Sequence, residues 1–248
     1  MTPGTQGAGA TGNGLRVVIW PFDRAPHPVL DGAARARRDA LRRQHFDLAR
    51  PFDAVRWAVV DTETGGLDAR HDPLLAIGAV AVEAGHIVLG PSLETGLRQT
   101  RSTDAANILI HGIGGQAQRA GQVPCLALLD WLEFARESPR VAFHAGFDQT
   151  ILQRETQAQL GLRTKAPWFD AAVIAQLLFP DAAPRCRHLD DWLAHFNIGV
   201  YARHGALADA YATAELWLVL LAALRREGIV TPRQLQSLLR ARRWLIAH

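Results

Sequence analysis

Apolar and polar positions predict three strands near the start of the main folded region. An apolar run over 57–60 ends abruptly at Asp61 and predicts a buried strand followed by a glycine turn. A second strand is predicted over 74–82, with Gly78 inside it, and a third begins shortly after a turn at Gly85. Strands separated by such short turns are predicted to be antiparallel neighbours.

The rest of the chain has mainly helical periodicity. Proline at a first helical position and glycine just beyond a last turn mark several helix ends, as at Pro124 and Gly161. Helices are predicted over 104–111, 124–134, 147–160, 170–179, 189–196, 207–226 and 231–248, with a short buried strand over 140–143. Strands followed by alternating strands and helices predict an α/β fold, a mixed sheet with helices on both faces.

The N-terminal region differs in composition from the rest. Residues 1–14 are mostly Gly, Thr and Ala and are predicted to be a disordered tail. Residues 15–53 form a basic extension, predicted to be helical over 31–50. That helix either contacts phosphates or a partner, or is a solvated helix packed on the main domain; the second interpretation is favoured. We expect the main domain over 54–226 and a C-terminal helix over 227–248.

Composition narrows the class of protein only a little. The chain has 248 residues, a formal net charge of +3 and 48% hydrophobic residues, which permits nucleic-acid binding without requiring it. Cys125 and Cys186 are the only cysteines, so a reducing, cytoplasmic setting is the simplest expectation. We find no apolar run of about 20 residues and no secretory signal, and therefore expect no membrane association.

Two acids follow the first strand at a spacing that brings their side chains together. Asp61 and Glu63 lie at i and i+2, so they project from the same face of the strand, with Thr62 on the other. Two adjacent carboxylates repel each other, and a divalent cation with oxygen ligands compensates best. On this pair alone, the favoured interpretation is a strand end with two solvated acids.

Two further acids occur where helices begin. Asp148 follows the strand over 140–143, where it either favours a helix N-terminus or supplies a third ligand. Asp209 lies among alanines at the start of the long apolar helix, a costly position without a partner. His204 converges on Asp209 only if it lies in the preceding loop, which Gly205 allows. Four carboxylates and one histidine suit two-metal phosphodiester hydrolysis.

Three motifs now give a specific resemblance. They are Asp61-Thr62-Glu63-Thr64-Gly65-Gly66-Leu67, His144-Ala145-Gly146-Phe147-Asp148 and His204-Gly205-Ala206-Leu207-Ala208-Asp209-Ala210, and a short Ile110-His111-Gly112-Ile113 segment accompanies them. In this order and spacing they resemble the DnaQ-like 3′→5′ exonucleases of the DEDDh class, in the ribonuclease H-like superfamily. The epsilon subunit of bacterial DNA polymerase III is the nearest resemblance, over about residues 57–224.

The resemblance implies a ribonuclease H-like five-stranded sheet whose first three strands are antiparallel. It implies that Asp61, Glu63, Asp148 and Asp209 bind two Mg²⁺ or Mn²⁺ ions, and that His204 is the general base. The product would be a nucleoside 5′-monophosphate released from a single-stranded 3′ end. The residues implied to bind substrate are Thr62, Thr64, Gly66, Leu67, His144 and Phe147.

Some features depart from the family or stay open. The family often has threonine where Gly65 stands, so one hydroxyl contact is missing, and His144 either contacts the strand or packs. Single-stranded DNA is the favoured substrate; an RNA-trimming exonuclease and a non-catalytic polymerase-associated module are the alternatives. A DNA polymerase and a sliding clamp are candidate partners. Residues 234–239 faintly resemble a clamp-binding peptide, although an ordinary amphipathic helix is favoured.

Overall fold

The structure is a computed structural model that describes residues 30–199 and 205–247. Five strands and nine α-helices are found in these residues, and a 3-10 turn over Phe52–Ala54 precedes the first strand. The strands are β1 (Trp57–Thr64), β2 (Leu74–Glu83), β3 (His86–Gly96), β4 (Arg140–Ala142) and β5 (Trp168–Asp170). The helices are α1 (Gly32–Ala40), α2 (Ala105–His111), α3 (Gly115–Ala120), α4 (Pro124–Ala135), α5 (Gly146–Leu160), α6 (Ala171–Leu178), α7 (Leu189–His195), α8 (Ala206–Arg226) and α9 (Pro232–Ala247).

The strands form one mixed sheet in the order β3-β2-β1-β4-β5. β1 pairs with β2 and β2 with β3 in antiparallel fashion. β4 runs parallel to β1, and β5 runs parallel to β4. The prediction of a mixed five-stranded sheet whose first three strands are antiparallel is therefore confirmed. Because β1, β4 and β5 are parallel, their carboxyl ends meet at one edge of the sheet.

Alternate side chains of β1 enter two different cores. Trp57 and Val59 are fully buried in a core that includes Trp217 of α8. Ala58 and Val60 face the other way, into a core shared with α4 and α5. Because strand side chains alternate, Asp61 and Glu63 continue the α8 face and Thr62 continues the α5 face. Helices thus cover both faces, and the acids of β1 project toward α8.

Helix α8 is the main support of the sheet. It has 21 residues, and an 18-residue window within it has a mean hydropathy of 1.5, so the expectation that no apolar run is long enough to cross a membrane is wrong by length and composition. Half of that window is nevertheless buried inside the protein, and the helix packs on β1 and β2. Its apolar character is accounted for by this position in the core.

The N-terminal extension differs from its prediction. The predicted helix over 31–50 ends at Ala40, and residues 43–47 have no regular secondary structure. Ala34 is buried against the α4–α5 core, and the guanidinium of Arg37 contacts both Asp130 and Glu133 of α4. Residues 1–29, which include the predicted tail, lie outside the described part of the chain. β5 and α3 had no distinct pattern of their own because both are very short.

Candidate functional site

Three acids meet at the carboxyl end of β1. Asp61 and Glu63 come from β1 and Asp209 from the first turn of α8, and their carboxylate oxygens lie within 4.8 Å of one another. All three are half-buried. Mg²⁺ binds oxygen at about 2.1 Å, so two ligands on opposite sides of one ion lie about 4.2 Å apart. This three-acid cluster therefore has the donor chemistry and spacing that a divalent cation requires.

Gly78 allows α8 to approach β2 closely enough to complete the cluster. It pairs with Asp61 in the β1–β2 ladder. A Cβ placed at Gly78 would lie 2.0 Å from the carbonyl carbon of Ala206 and 2.1 Å from the amide nitrogen of Leu207. The backbone at the start of α8 thus rests directly on the strand, where only glycine fits. This contact sets the position of Asp209, which follows two residues later.

Asp148 lies on the other face of β1. Its carboxylate accepts a hydrogen bond of 2.8 Å from the hydroxyl of Thr62, and only 4% of the residue is exposed. The three-acid cluster does not include it. The four predicted ligands are therefore divided, with three together and Asp148 behind the strand end. Thr62 was predicted to bind substrate, but the structure places it in the interior with Asp148 as its partner.

Burial changes the protonation of Asp148. Removal from water raises the pKa of this carboxyl from 3.8 to about 7, the bond from Thr62 opposes the rise, and the charge of Asp170 adds to it. Asp170 ends β5 and caps α6, where its side chain accepts from the amides of Ala172 and Val173. Sequence analysis did not single out Asp170. Its position after a short apolar segment and before a helix is the pattern that could have found it.

The loop between β1 and β2 holds Leu67 out in solvent. Leu67 is 95% exposed, while the hydroxyl of Thr64 donates a 2.6 Å bond to the carbonyl of Gly66. A Cβ at Gly66 would lie 2.3 Å from a carboxylate oxygen of Asp72. A Cβ at Gly65 would lie 2.7 Å from Pro73, so a threonine does not fit there without rearrangement. The loop therefore needs both glycines.

Side chains of two helices donate hydrogen bonds to carbonyls of this loop. Arg154 of α5 donates to the carbonyls of Ala69 and Asp72. The side-chain amide of Asn107, in α2, donates to the carbonyl of Gly65. Neither Arg154 nor Asn107 was predicted to belong to the site. A single sequence gives no indication of such contacts because they depend on tertiary packing.

His144 and Phe147 lie in the connection from β4 to α5. His144 is exposed and has a φ of +58°, which is unusual for a residue other than glycine. Its ring packs edge-on to Phe143, with centroids 4.6 Å apart. Phe147 is half-buried, and its amide donates to the carbonyl of His144. Strained backbone of this kind often occurs at functional sites.

His204, the predicted general base, lies outside the described residues. Gly205 is the next described residue, and the backbone amide of Asp209 donates to the carbonyl of Gly205. His111 of the short family segment is buried, and its Nδ1 accepts from the amide of Ile113. Burial lowers the pKa of the His111 imidazole.

Comparison with known proteins assigns the family. The RNase_T model, described as an exonuclease family, matches residues 58–217. That match covers most of the chain and includes all four predicted acidic ligands. The chain therefore belongs to this exonuclease family.

Curated relatives are bacterial DNA polymerase III proteins. A DNA polymerase III subunit epsilon-like protein of Rhodobacter capsulatus is 33% identical over 187 residues, covering 73% of this chain and 26% of that protein. A PolC-type DNA polymerase III of Thermotoga petrophila is 28% identical over 198 residues, covering 80% of this chain and 14% of that protein. The epsilon subunit of Rickettsia conorii is 28% identical and is covered to 75%. The chain thus spans about a quarter or less of the first two relatives.

Solved structures confirm the fold. E. coli exonuclease I in complex with a dA16 oligonucleotide has a TM-score of 0.58 at 14% identity, covering 69% of this chain and 42% of that chain. Exonuclease X in complex with 5′ overhanging duplex DNA has a TM-score of 0.53 at 21% identity, and the match covers 69% of this chain and 93% of that chain. At these identities the likeness establishes the fold alone, which is that of ribonuclease H-like exonucleases.

Proposed function

We propose that the protein is a metal-dependent 3′→5′ exonuclease that removes nucleoside 5′-monophosphates from single-stranded DNA. The observation that carries the proposal is the three-acid cluster of Asp61, Glu63 and Asp209 in a chain of the exonuclease family. Oligonucleotide complexes of exonuclease I, which shares the fold, support DNA as the substrate.

The acids hold the reaction centre. Asp61, Glu63 and Asp209 would hold one Mg²⁺ or Mn²⁺, and Asp148 would help to hold a second. When bound, the two cations supply the charge that activates water and stabilises the departing 3′ oxygen. Because metal binding requires an ionised carboxylate, Asp148 would hold a cation only in its ionised form.

The remaining residues bind the strand and move the proton. Exposed Leu67, held by the Thr64–Gly66 turn, contacts the terminal base, and Phe147 and His144 border the same 3′ nucleotide. His204 accepts the proton of the attacking water. Water adds to phosphorus, the P–O3′ bond breaks, and the product carries a 5′ phosphate.

The relatives support a proposal for the cellular setting. Because these are DNA polymerase III proteins of bacteria, we place the protein in the cytoplasm, in proofreading or repair. A DNA polymerase is the proposed partner. Residues 234–239 do not support a sliding clamp as a second partner, because Leu235 is fully buried and Leu238 and Leu239 pack against the core that contains α8.

The test is a degradation assay on 5′-labelled DNA and RNA of one sequence, in Mg²⁺, Mn²⁺ or EDTA. We expect a ladder that shortens from the 3′ end of DNA, absent in EDTA, and at least about 10³-fold slower for Asp61→Asn and Asp209→Asn. Asp181→Asn, an exposed acid in the loop after α6, serves as the matched control and should retain full activity.

Three outcomes would contradict the proposal. Cleavage of RNA alone would make the protein an RNA-trimming enzyme, and immediate release of the 5′ label as a mononucleotide, without a ladder, would overturn the polarity. No cleavage of either substrate by folded wild-type protein would favour a non-catalytic module. A His204→Ala variant that binds Mn²⁺ but cleaves slowly would support the role of His204, whereas full activity would exclude it.

A further inference from the structure

Three neighbouring cavities contain none of the residues of the three-acid cluster, and each has at least three arginine or lysine side chains in its lining. The first, of about 510 Å³, is lined by the segment after α1 and by the residues before β1 and β4. The second, about 360 Å³, shares Leu41 and Gln44 with the first. The third, about 490 Å³, follows α5 and shares Arg163, Thr164 and Lys165 with the second. The neighbouring cavities share lining residues, and the three together are here called the basic groove.

The groove has a strong excess of positive charge. The cationic side chains in its walls are Arg42, Arg43, Arg50, Arg56, Arg136, Arg154, Arg163 and Lys165, whereas the acids are Asp47 and Glu137. Within the described residues, Arg43, Arg50 and Lys165 have no acidic partner, and Arg163 bonds only to the amide oxygen of Gln157. Four exposed cations are thus available to an anionic ligand.

A buried cation lies directly behind the wall. Arg140 is 1% exposed, and its Nε and Nη2 have no hydrogen-bond partner within the described part of the chain. Its guanidinium lies over the rings of Trp131 and Trp168, and Nη1 donates to the hydroxyl of Thr164, which lines the second and third cavities. A buried charge without a counter-ion adds positive potential to the groove, because the low dielectric of the interior screens it weakly.

The groove begins beside the β1–β2 loop and ends far from it. Arg154 lines the third cavity and also holds the carbonyls of Ala69 and Asp72, so this end of the groove adjoins the loop that carries Leu67. Val55 lines the first cavity, six residues before Asp61. At 3.3 Å per residue the far end is therefore about 20 Å from the reaction centre.

We propose that the basic groove binds the phosphates of a single-stranded nucleic acid whose 3′ end occupies the three-acid cluster. The proposal rests on the exonuclease activity proposed above and names where the strand upstream of the cleaved nucleotide runs. Phosphates pass the β1–β2 loop, follow the polar side of α5 and reach the N-terminal segment over 41–50. That segment thereby acts in substrate binding, with the cations as phosphate contacts.

Binding is measured first, because it does not depend on catalysis. Fluorescence anisotropy in EDTA with 5′-fluorescein dT20 and rU20 compares wild type with the quadruple variant Arg43→Glu, Arg50→Glu, Arg163→Glu, Lys165→Glu. We expect affinity at 0.1 M salt to fall by at least about tenfold, and the salt dependence of log K to flatten by about 3, since each single-strand phosphate contact contributes about 0.7. Tighter binding of dT20 or of rU20 identifies the sugar that the groove prefers.

A matched control carries the same kind of charge change elsewhere. Arg185 and Arg187 are exposed and line none of the three cavities. Arg185→Glu, Arg187→Glu should bind both oligonucleotides as wild type does. An equal loss in this control would show a general charge effect and overturn the proposal, as would unchanged binding by the quadruple variant.

Turnover then separates the groove from the reaction centre. The p-nitrophenyl ester of thymidine 5′-monophosphate reaches only the centre, so the quadruple variant should hydrolyse it at the wild-type rate in Mn²⁺. The same variant should lose at least about tenfold in kcat/KM on a 20-mer and little on a trinucleotide. An equal loss of kcat/KM on the ester, the trinucleotide and the 20-mer would show a folding defect rather than a loss of strand binding in the groove. If wild type binds dT20 but hydrolyses nothing, the exonuclease proposal fails while the groove stands.

Discussion

At the scale of single residues, Gly78 is predicted to affect activity through packing rather than through chemistry. The start of α8 lies against it, with backbone atoms 2.0–2.3 Å from where a Cβ would stand. Gly78→Ala should displace α8 and separate Asp209 from Asp61, lowering exonuclease kcat by at least about tenfold. The overpacking should cost about 1–3 kcal/mol of stability.

The matched control for Gly78 is Gly90 in β3, where a Cβ would meet nothing within 4 Å. Gly90→Ala should leave kcat and Tm essentially as in wild type. Both variants are compared by thermal unfolding and by hydrolysis of the 5′-labelled strand in Mn²⁺. Wild-type activity in Gly78→Ala would mean that α8 adjusts its position without moving Asp209.

A second prediction at this scale concerns Asp148 in the metal-free protein. Its pKa is about 7 when folded and 3.8 ordinarily, so between these values the folded state keeps a proton that the unfolded state loses. The buried Asp148 carboxyl therefore contributes most to the stability of the folded state below about pH 4, and this contribution is lost as pH rises to 7. Asp148→Asn, which does not ionise, should gain stability relative to wild type by about 3 kcal/mol between pH 5 and pH 8.

Urea unfolding in EDTA at the two pH values checks this prediction. The quantity to compare is the difference in the free energy of unfolding between the variant and wild type, because other groups titrate equally in both proteins. Asp181→Asn, at an exposed loop position, should show the same difference at both pH values. If the Asp148→Asn difference does not change with pH either, the carboxyl of Asp148 is ionised at both.

At the scale of elements, Arg37 links α1 to α4 through hydrogen bonds, beside the apolar contact of Ala34 with the same core. Arg37 donates from Nε to Glu133 at 2.8 Å and from Nη2 to Asp130, and these contacts raise the pKa of its guanidinium above the ordinary value. About a third of each partner is exposed, so solvent reduces the strength of the pair. Arg37→Ala should weaken the attachment of α1 by about 0.5–1 kcal/mol.

Hydrogen exchange measures that attachment locally. Amides of α1 should exchange about two- to fivefold faster in Arg37→Ala, while those of α8 should not change. Arg38→Ala is the control, since Arg38 pairs only with the adjacent Asp39 within the described residues. Equal acceleration in both variants would show that helix propensity, rather than the contact with α4, determines the exchange rate.

At the scale of the whole molecule, the secondary-structure elements that depend on periodicity and local motifs were predictable from the sequence. The apolar run before Asp61, the caps at Pro124 and Gly161, and the strand-turn-strand spacing were sufficient for the mixed sheet. The i and i+2 rule correctly separated Thr62 from Asp61 and Glu63. Contacts between distant segments were not predictable in this way, because they form only when the elements pack. They are the hydrogen bond from Thr62 to Asp148, the contact of Asn107 with Gly65 and the close packing of α8 on Gly78.

Folding and metal binding are coupled through the three-acid cluster. Three half-buried carboxylates within 4.8 Å repel one another in the metal-free protein, so Mn²⁺ or Mg²⁺ should stabilise the folded state. At a metal concentration 100 times Kd the gain is about 2.7 kcal/mol, which corresponds to a rise in Tm of about 5–10 °C for a chain of this size.

Asp209→Asn removes one carboxylate ligand from the cluster. The variant should therefore show almost no rise in Tm when Mn²⁺ is added. Asp181→Asn should keep the wild-type Tm in EDTA and the full metal-dependent rise. If Asp209→Asn kept the full rise, cation binding would not involve Asp209, and the metal would have to be bound without the first turn of α8.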